Sequence, residues 1–277
     1  MEGWIGRSRS IEDQLTAPAA RRLAALLDRA PPPLHPGAVV PAHWASILFD
    51  DAAPQSGLGP DGHPAKGEFL PPIDLPRRML AGRRIAYAGD LRIGDALTRT
   101  SSITAITPKQ GRSGRLVFVT VHHRVTGPRG LLLEEAQDIA YREAAAADAA
   151  PPAPTPAPAD AAWRAPFAPD PVALFRYSAL TFNGHRIHYD HPYVTGTEGY
   201  PTLVMNGGLT TLLVFELARA NAGSPLRYMA SRNVRPLFVN RAITLCGEPA
   251  PDGRSAKLWA EDDTGAVALS ATAEFCG

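Results

Sequence analysis

The chain has 277 residues, 45% of them apolar and 20% charged, with a formal net charge of +1. That length suits one large domain or two ordinary ones. The near-neutral balance argues against a nucleic-acid binder, which gathers basic groups on one face, and no apolar run of about eighteen residues offers a membrane span. The opening Met1-Glu-Gly-Trp-Ile-Gly-Arg7 has no apolar signal core, so a cytoplasmic protein is expected. Cys246 and Cys276 have no metal-ligand spacing around them and are expected as reduced, mostly buried thiols.

In chain order, Ile11 to Arg29 carries a helical apolar pattern through Leu15, Leu23, Leu26 and Leu27, with Thr16 before Pro18 as a start signal. Residues 30–72 are rich in proline and glycine, and the apolar island His43 to Phe49 within them predicts a short helix held between ordered loops. Alternating, β-branched runs follow at 84–95, 97–107, 115–125 and 131–141, with turns at Gly111-Arg-Ser-Gly114 and Thr126-Gly-Pro-Arg-Gly130. They predict an antiparallel sheet of hairpins.

Residues 144–170 are almost all Ala, Pro and Asp, too poor in large apolar groups to fold alone, and predict an extended linker. Beyond it the pattern recurs. Pro236-Leu-Phe-Val-Asn240 resembles Asp90-Leu-Arg-Ile-Gly94, and Ala256 to Phe275 echoes the hairpin of Val117 to Tyr141. The apolar helix predicted from Gly208 to Asn221 is roughly 21 Å long, enough to cross four or five strands. The expected class is α+β, a double hot dog in which each copy wraps a curved antiparallel sheet around a helix. The first copy takes residues 1–143, the linker 144–170 and the second copy 171–277.

The polar segment Phe182-Asn-Gly-His-Arg-Ile-His-Tyr-Asp190 resembles the hydratase segment of the MaoC-like enoyl-thioester hydratases, in their double-hot-dog branch. That branch includes mesaconyl-CoA and itaconyl-CoA hydratases and the mitochondrial type-2 3-hydroxyacyl-thioester dehydratases. The first half supports the same resemblance through Asp61-Gly-His-Pro64, Phe69-Leu-Pro-Pro72, Pro76-Arg-Arg-Met-Leu-Ala-Gly82, Lys109-Gln-Gly-Arg-Ser-Gly114 and Glu135-Ala-Gln-Asp-Ile-Ala-Tyr-Arg142. It covers nearly the whole chain apart from the linker.

The resemblance implies a site lined by Asn183 and His188, in one copy only, because the first half has no pair of that spacing. Asn206-Gly207 stands where the family usually has His-Gly ahead of its central helix. Hydration of an α,β-unsaturated thioester needs a base for water and a donor for the developing enolate oxygen. His188 suits the first role, Asn183 can only orient, and the N–H of Gly207 or Gly208 at the positive helix end suits the second. His185 and His191 are expected as surface or capping groups, and Asp190 as a cap or salt-bridge partner.

Arg77, Arg78 and Arg186 are the candidates for a substrate carboxylate, with Tyr189 beside them, and Lys109, Arg112 and Arg115 those for the CoA phosphates. No metal and no cofactor is expected, CoA being part of the substrate. The partner is a small acyl-CoA thioester; no nucleic acid or membrane is expected, and a homodimer is compatible with the pattern. The implied activity is reversible hydration of a C5 dicarboxylyl-CoA, itaconyl- or mesaconyl-CoA, to the hydroxyacyl thioester citramalyl-CoA. The alternatives are an (R)-3-hydroxyacyl-thioester dehydratase of fatty-acid synthesis, a thioesterase using Glu216, or a non-catalytic acyl-CoA-binding protein.

Overall fold

The computed structural model describes residues 2–111, 114–143 and 153–277. In chain order the elements are β1 (Ser8–Asp13), α1 (Ala17–Leu26), β2 (Val39–Val40), β3 (Arg77–Tyr87), β4 (Leu91–Arg92), β5 (Leu97–Gly111), β6 (Gly114–Gly127), β7 (Gly130–Arg142), β8 (Trp163–Phe167), α2 (Pro171–Leu180), α3 (His191–Gly196), α4 (Gly207–Ala222), β9 (Leu226–Asn233), β10 (Ile243–Pro249), β11 (Ser255–Glu261) and β12 (Val267–Phe275). Ten strands form one antiparallel sheet in the order β1-β5-β6-β7-β3-β9-β12-β11-β10-β8. The order reads the same from either end once the halves are matched, and the halves join where β3 pairs with β9. This is the double-hot-dog architecture.

The repeat extends to single residues. Thr16 Oγ1 accepts the Ala19 N–H at 3.2 Å to start α1, and Asp170 Oδ1 accepts the Ala173 N–H at 2.7 Å to start α2. Both helices run ten residues, and both are followed by a residue in the left-handed region, Asp28 and Phe182. The Ile93 N–H reaches the Ala38 carbonyl and the Val239 N–H the Leu203 carbonyl, each at 3.0 Å. Gly94 and Asn240 then both take positive φ, as Asp90–Gly94 and Pro236–Asn240 follow the same path.

The halves differ in what their sheets enclose. The second sheet wraps α4, whose Leu209, Leu212, Val214, Phe215 and Ala218 are buried against Ile243, Leu258, Leu269 and Ala273. Burial of each large aliphatic or aromatic side chain stabilises by about 1.5–3 kcal/mol. The first sheet has no counterpart of α4 among the described residues: after β2 the chain makes two 3-10 stretches, Ala42–Ile47 and Gln55–Gly57, and otherwise runs irregularly to Pro76. That run fills the sheet with Phe69, Ile73 and Leu75 against Ile103, Val119, Val121 and Tyr141. The expectation of a helix inside each sheet therefore holds for the second only.

Three further expectations shift. The helix predicted from Ile11 starts only at Ala17, because Ile11 lies in β1, whose exposure alternates residue by residue. The predicted linker contains β8, an edge strand paired with β10, so the second sheet begins before residue 171. Part of that linker, 144–152, lies outside the described residues, as do Arg112 and Ser113 of the predicted Gly111–Gly114 turn. Cys246 is buried and free as expected, but Cys276 is exposed. No helix among the described residues is long and apolar enough to cross a membrane.

The halves are clamped together at the centre of α4. Glu216 is buried, and its Oε1 accepts from Trp44 Nε1 at 2.8 Å and from His43 Nε2 at 2.7 Å, while Oε2 accepts from Arg219 at 2.8 Å. Burial raises its carboxyl, but the bonds from His43, Arg219 and Trp44 outweigh that and hold it at about 2. With its oxygens so engaged, Glu216 is a structural ion anchored on the first half and has no free face to activate water for a thioesterase.

Candidate active site

The second half builds the site between α2, the loop after it, and the N-terminus of α4. Phe182 takes the left-handed region and turns the chain away from α2, and the Asn183 N–H bonds back to the Ser178 carbonyl at 2.8 Å. A 3-10 turn at Arg186–His188 then drives His188 inward while Asp190 starts α3. Asp190 Oδ1 accepts the Tyr193 N–H at 3.0 Å and Oδ2 pairs with Arg186 at 2.8 Å, so it is both cap and salt-bridge partner.

His188 is buried, and its Nδ1 lies 2.7 Å from the carbonyl oxygen of Val204, just ahead of α4. A carbonyl can only accept, so Nδ1 carries the hydrogen and Nε2 is left as the basic nitrogen. Burial pushes the imidazole down to about 4, although the Val204 bond favours its charged form and the nearby His63 disfavours it. His188 is therefore a neutral base with a fixed tautomer across the neutral range.

Asn183 sits at the start of the same loop, where its Oδ1 accepts the His185 N–H at 3.0 Å. That bond shapes the loop and leaves its amide NH2 as the part able to orient a ligand. Gly207 and Gly208 open α4 without a side-chain cap, since Asn206 turns its Nδ2 to Ser178 Oγ at 3.2 Å instead. The first N–H groups of the helix are thus left without the side-chain acceptor a cap provides. The buried Oδ1 of Asn206 has no partner among the described residues, a state that calls for a water or a ligand group. Gly208 is also a packing requirement: a Cβ there would stand 2.2 Å from the Tyr177 hydroxyl.

A site built where the two halves meet, with the first shaping its wall, is the expectation; the residues that form that wall were not singled out. The first half's Gly59–His63 turn interlocks with the loop of residues 183–188. The Arg186 N–H bonds to the Asp61 carbonyl at 2.9 Å, and a Cβ on Gly62, at φ +85°, would stand 2.0 Å from the Gly184 carbonyl oxygen. Asp61 accepts twice from His63, from the backbone N–H and from ring Nδ1, each at 3.0 Å. The His63 ring lies 4.0 Å from that of His185, which meets His188 edge-on at 5.3 Å.

Burial raises the Asp61 carboxyl, but the bonds and charge of His63, with Arg78 behind them, hold it below the usual carboxylate range. Burial outweighs Asp61 at His63 and lowers it, and burial with the two flanking imidazoles lowers His185 to about 2. The expectation of His185 as a surface or capping group is thus corrected: its ring is held between two other imidazoles. His191, the first residue of α3, is exposed as expected. A carboxylate two residues ahead of a histidine in a glycine-rich turn was the one local signal for Asp61 and His63. Their target lies in the other half of the chain.

Of the three arginines singled out, two are committed elsewhere. Arg77 pairs with Glu198 and lies over the Tyr200 ring, and Arg186 pairs with Asp190 and lies over Tyr193. Arg78 has no carboxylate at salt-bridge distance among the described residues; it makes one long bond, 3.4 Å, to the Pro64 carbonyl. Its charge bears on Asp61, His63 and His185. Tyr189 is exposed and donates to the Gly184 carbonyl at 2.9 Å, which stiffens the loop from outside. Lys109 and Arg115 are exposed on the long β5–β6 hairpin, and Arg112 lies outside the described residues.

Asp61, His63 and His185 each offer one ligand atom within 4.8 Å of the others, the spacing of a possible metal cluster. The donor set fits a cation poorly: His63 Nδ1 is already bonded to Asp61, the two rings are in contact with each other, and the Arg78 charge bears on the same groups. The cluster reads as a protonic site.

The family profile of the hydroxyacyl-thioester dehydratases type 2 matches residues 42–239. The mesaconyl-C(4)-CoA hydratase of Chloroflexus aurantiacus is 46% identical over 279 aligned residues, which cover 99% of this chain and 97% of that protein. Among solved structures, a MaoC-like dehydratase superposes with a TM-score of 0.74 at 15% identity, covering 99% of this chain and 98% of its own. A Mycobacterium tuberculosis protein described as a double hotdog fold gives 0.56 at 14% identity, covering 98% and 96%. These two carry the fold alone.

Proposed function

The chain belongs to the hydroxyacyl-thioester dehydratase type 2 family and is a hydro-lyase, and from that premise we propose that it adds water reversibly to a C5 dicarboxylyl-CoA, with mesaconyl-CoA first among the candidates. The observation that carries the reading is the buried His188, its Nδ1 hydrogen fixed on Val204 and its Nε2 free, beside the uncapped first turn of α4. The thioester oxygen lies against the N–H groups of Gly207 and Gly208, which draw electrons from the double bond. His188 Nε2 takes a proton from water as its oxygen bonds to Cβ. The π pair passes into the enolate and then into the new Cα–H bond, and the proton is the one His188 held. Atoms balance without a cofactor, and CoA enters only as part of the substrate.

The acyl group follows from where the unpaired cation lies. In a mesaconyl thioester formed at C4, the free carboxylate is attached to Cβ, the carbon that receives the hydroxyl. A carboxylate recogniser must then sit beside the base and not at the end of a tunnel. Arg78, next to the imidazoles and without a carboxylate of its own, meets that requirement, with the planar fork suited to a carboxylate. Citramalyl-CoA is the product expected. A fatty-acyl dehydratase would instead need a deep apolar tunnel, and the side of the site nearest His188 carries Asp61, His63 and Arg78.

The test is loss of enoyl-thioester absorbance with mesaconyl-CoA and crotonyl-CoA offered side by side, with itaconyl-CoA followed by mass spectrometry of the product. Hydration of mesaconyl-CoA with little turnover of crotonyl-CoA is the expected result. Equal turnover of crotonyl-CoA moves the reading to fatty-acyl chemistry, and release of free CoA thiol in place of hydration overturns it.

A further inference from the structure

Asn183 stands at the head of the catalytic loop and cannot ionise. Its Oδ1 is bonded to the His185 N–H, and no other residue of that loop brings a carboxylate to the imidazoles, since Asp190 is turned to Arg186 and Tyr193. When His188 holds the proton taken from water, its ring is positive and buried, with a backbone carbonyl as its one bonded partner. A buried imidazolium without a counter-charge is costly. The remaining ionisable groups in reach are His185, His63 and Asp61, arranged as a line: His188 meets His185 at 5.3 Å, His185 lies against His63 with ring centres 4.0 Å apart and planes tilted by 39°, and His63 is bonded through Nδ1 to Asp61 at 3.0 Å. Among the described residues no hydrogen bond fixes the His185 ring.

We propose that Asp61 and His63 of the first half are positioning residues of the second half's catalytic site, holding the His185 ring beside His188 and placing a carboxylate behind the pair of imidazoles across which the water is held. His185 and His188 then face the attacking water, one imidazole for each of its hydrogens. His63 fixes the first of them by ring contact, and Asp61 fixes His63 by accepting its Nδ1 hydrogen. One proton passes from water to His188 and on to Cα as already described, and no further proton or electron is required. Arg78 and Glu198 also act on His63, one disfavouring and the other favouring its charged form, which leaves Asp61 as the carboxylate in contact with it.

This role rests on the hydratase reading, and the experiment separates the two. The kinetic constants of His63→Ala, His63→Gln, Asp61→Asn and Asp61→Glu are measured with mesaconyl-CoA, together with ring NMR titration of His188 and thermal unfolding. Support for a histidine ligand usually costs about 10- to 100-fold when removed, and a loss of that size is expected in kcat for His63→Ala, with KM within about threefold. Asp61→Glu, which keeps the carboxylate, retains more activity than Asp61→Asn. Removing His63 also takes away a group whose charge disfavours the His188 imidazolium, so the His188 titration moves upward in both His63 variants. A merely structural contact would lower the melting temperature without moving that titration.

Wild-type kcat in His63→Ala, or an unmoved His188 titration, overturns the proposal while leaving the hydratase reading intact. Absence of hydration by the wild type overturns both. Loss of wild-type activity to a chelator with recovery on added zinc would show a metal at Asp61, His63 and His185 and overturn it as well.

Discussion

The second half lays sixteen helical residues, Gly207–Ala222, across its sheet, whereas the first half, from the matching point after β2, makes two short 3-10 stretches and otherwise runs irregularly to Pro76. A helix satisfies its own backbone and can be apolar along its buried length, as α4 is. An irregular run must find partners for its N–H and C=O groups and draws on side chains to do so. Lys66 Nζ bonds to the Ile73 and Leu75 carbonyls at 3.0 and 2.7 Å, and Arg186 of the other half supplies donors to the Pro60 and Asp61 carbonyls. The difference shows that a half without a central helix still has a use. The run in its place reaches across and walls the site.

If chemistry belongs to the second half, His188→Ala has the largest effect. Removal of a general base costs about 10²- to 10⁴-fold in kcat, and the absorbance assay with mesaconyl-CoA should show a loss in that range. The same comparison predicts a pH profile. Because His188 is lowered to about 4, kcat/KM for the wild type should hold through the neutral range and fall only as pH drops through about 4, where the base becomes protonated. A limb near pH 6.5 would mean an exposed histidine is the base.

If the halves are one cooperative body, Glu216 is the group to break. Removing one partner of a buried ion network costs about 3–5 kcal/mol, and Glu216→Gln, which leaves His43, Trp44 and Arg219 facing a neutral amide, should approach that loss in denaturant unfolding. Its carboxyl is lowered on folding, from 4.5 to about 2. The stabilisation is present above pH 4.5 and is lost as pH falls through about 2, so the variant and wild type should converge in acid. Next in size is Gly208→Ala, which drives a methyl into the Tyr177 hydroxyl. Such overpacking costs about 1–3 kcal/mol, and a fall in kcat should accompany it because the first turn of α4 moves.

How much of this was legible follows from what the sequence must encode locally. The repeated Leu-x-Ile-Gly and Leu-x-Val-Asn patterns could be read because each needs two buried apolar residues in alternation and then a residue tolerant of positive φ. β8 was taken for linker because it lies in a stretch of Ala, Pro and Asp read as too poor in large apolar groups to fold, and Pro166 sits within it. An edge strand tolerates a proline that a central one would not, and β8 pairs on one side only. His188 and the glycines were legible from their resemblance to the family's segment and their place before an apolar helix. Asp61 and His63 were visible as a motif but not as part of the site, because the interlock of Gly62 with Gly184 is a tertiary fact that no local pattern states. Arg77, Arg78 and Arg186 looked alike for the same reason: Glu198 and Asp190 decide which of them is taken.

Arg78 gives the finest division of labour and the smallest expected effect. It enters from β3, at the edge where the halves join, and bears on the imidazoles from the first-half side. Arg78→Lys keeps the charge but replaces a planar fork by a single point donor, so what is lost is bidentate geometry and not the field around the site. One charge-assisted hydrogen bond of two is then forfeited, and KM for mesaconyl-CoA should rise about tenfold, equivalent to roughly 1.4 kcal/mol. Crotonyl-CoA, which has a hydrogen where mesaconyl-CoA has a carboxylate, should not register the change. An equal rise in KM for both would mean that Arg78 supports the loop through Pro64, and that the carboxylate is recognised from the second half after all.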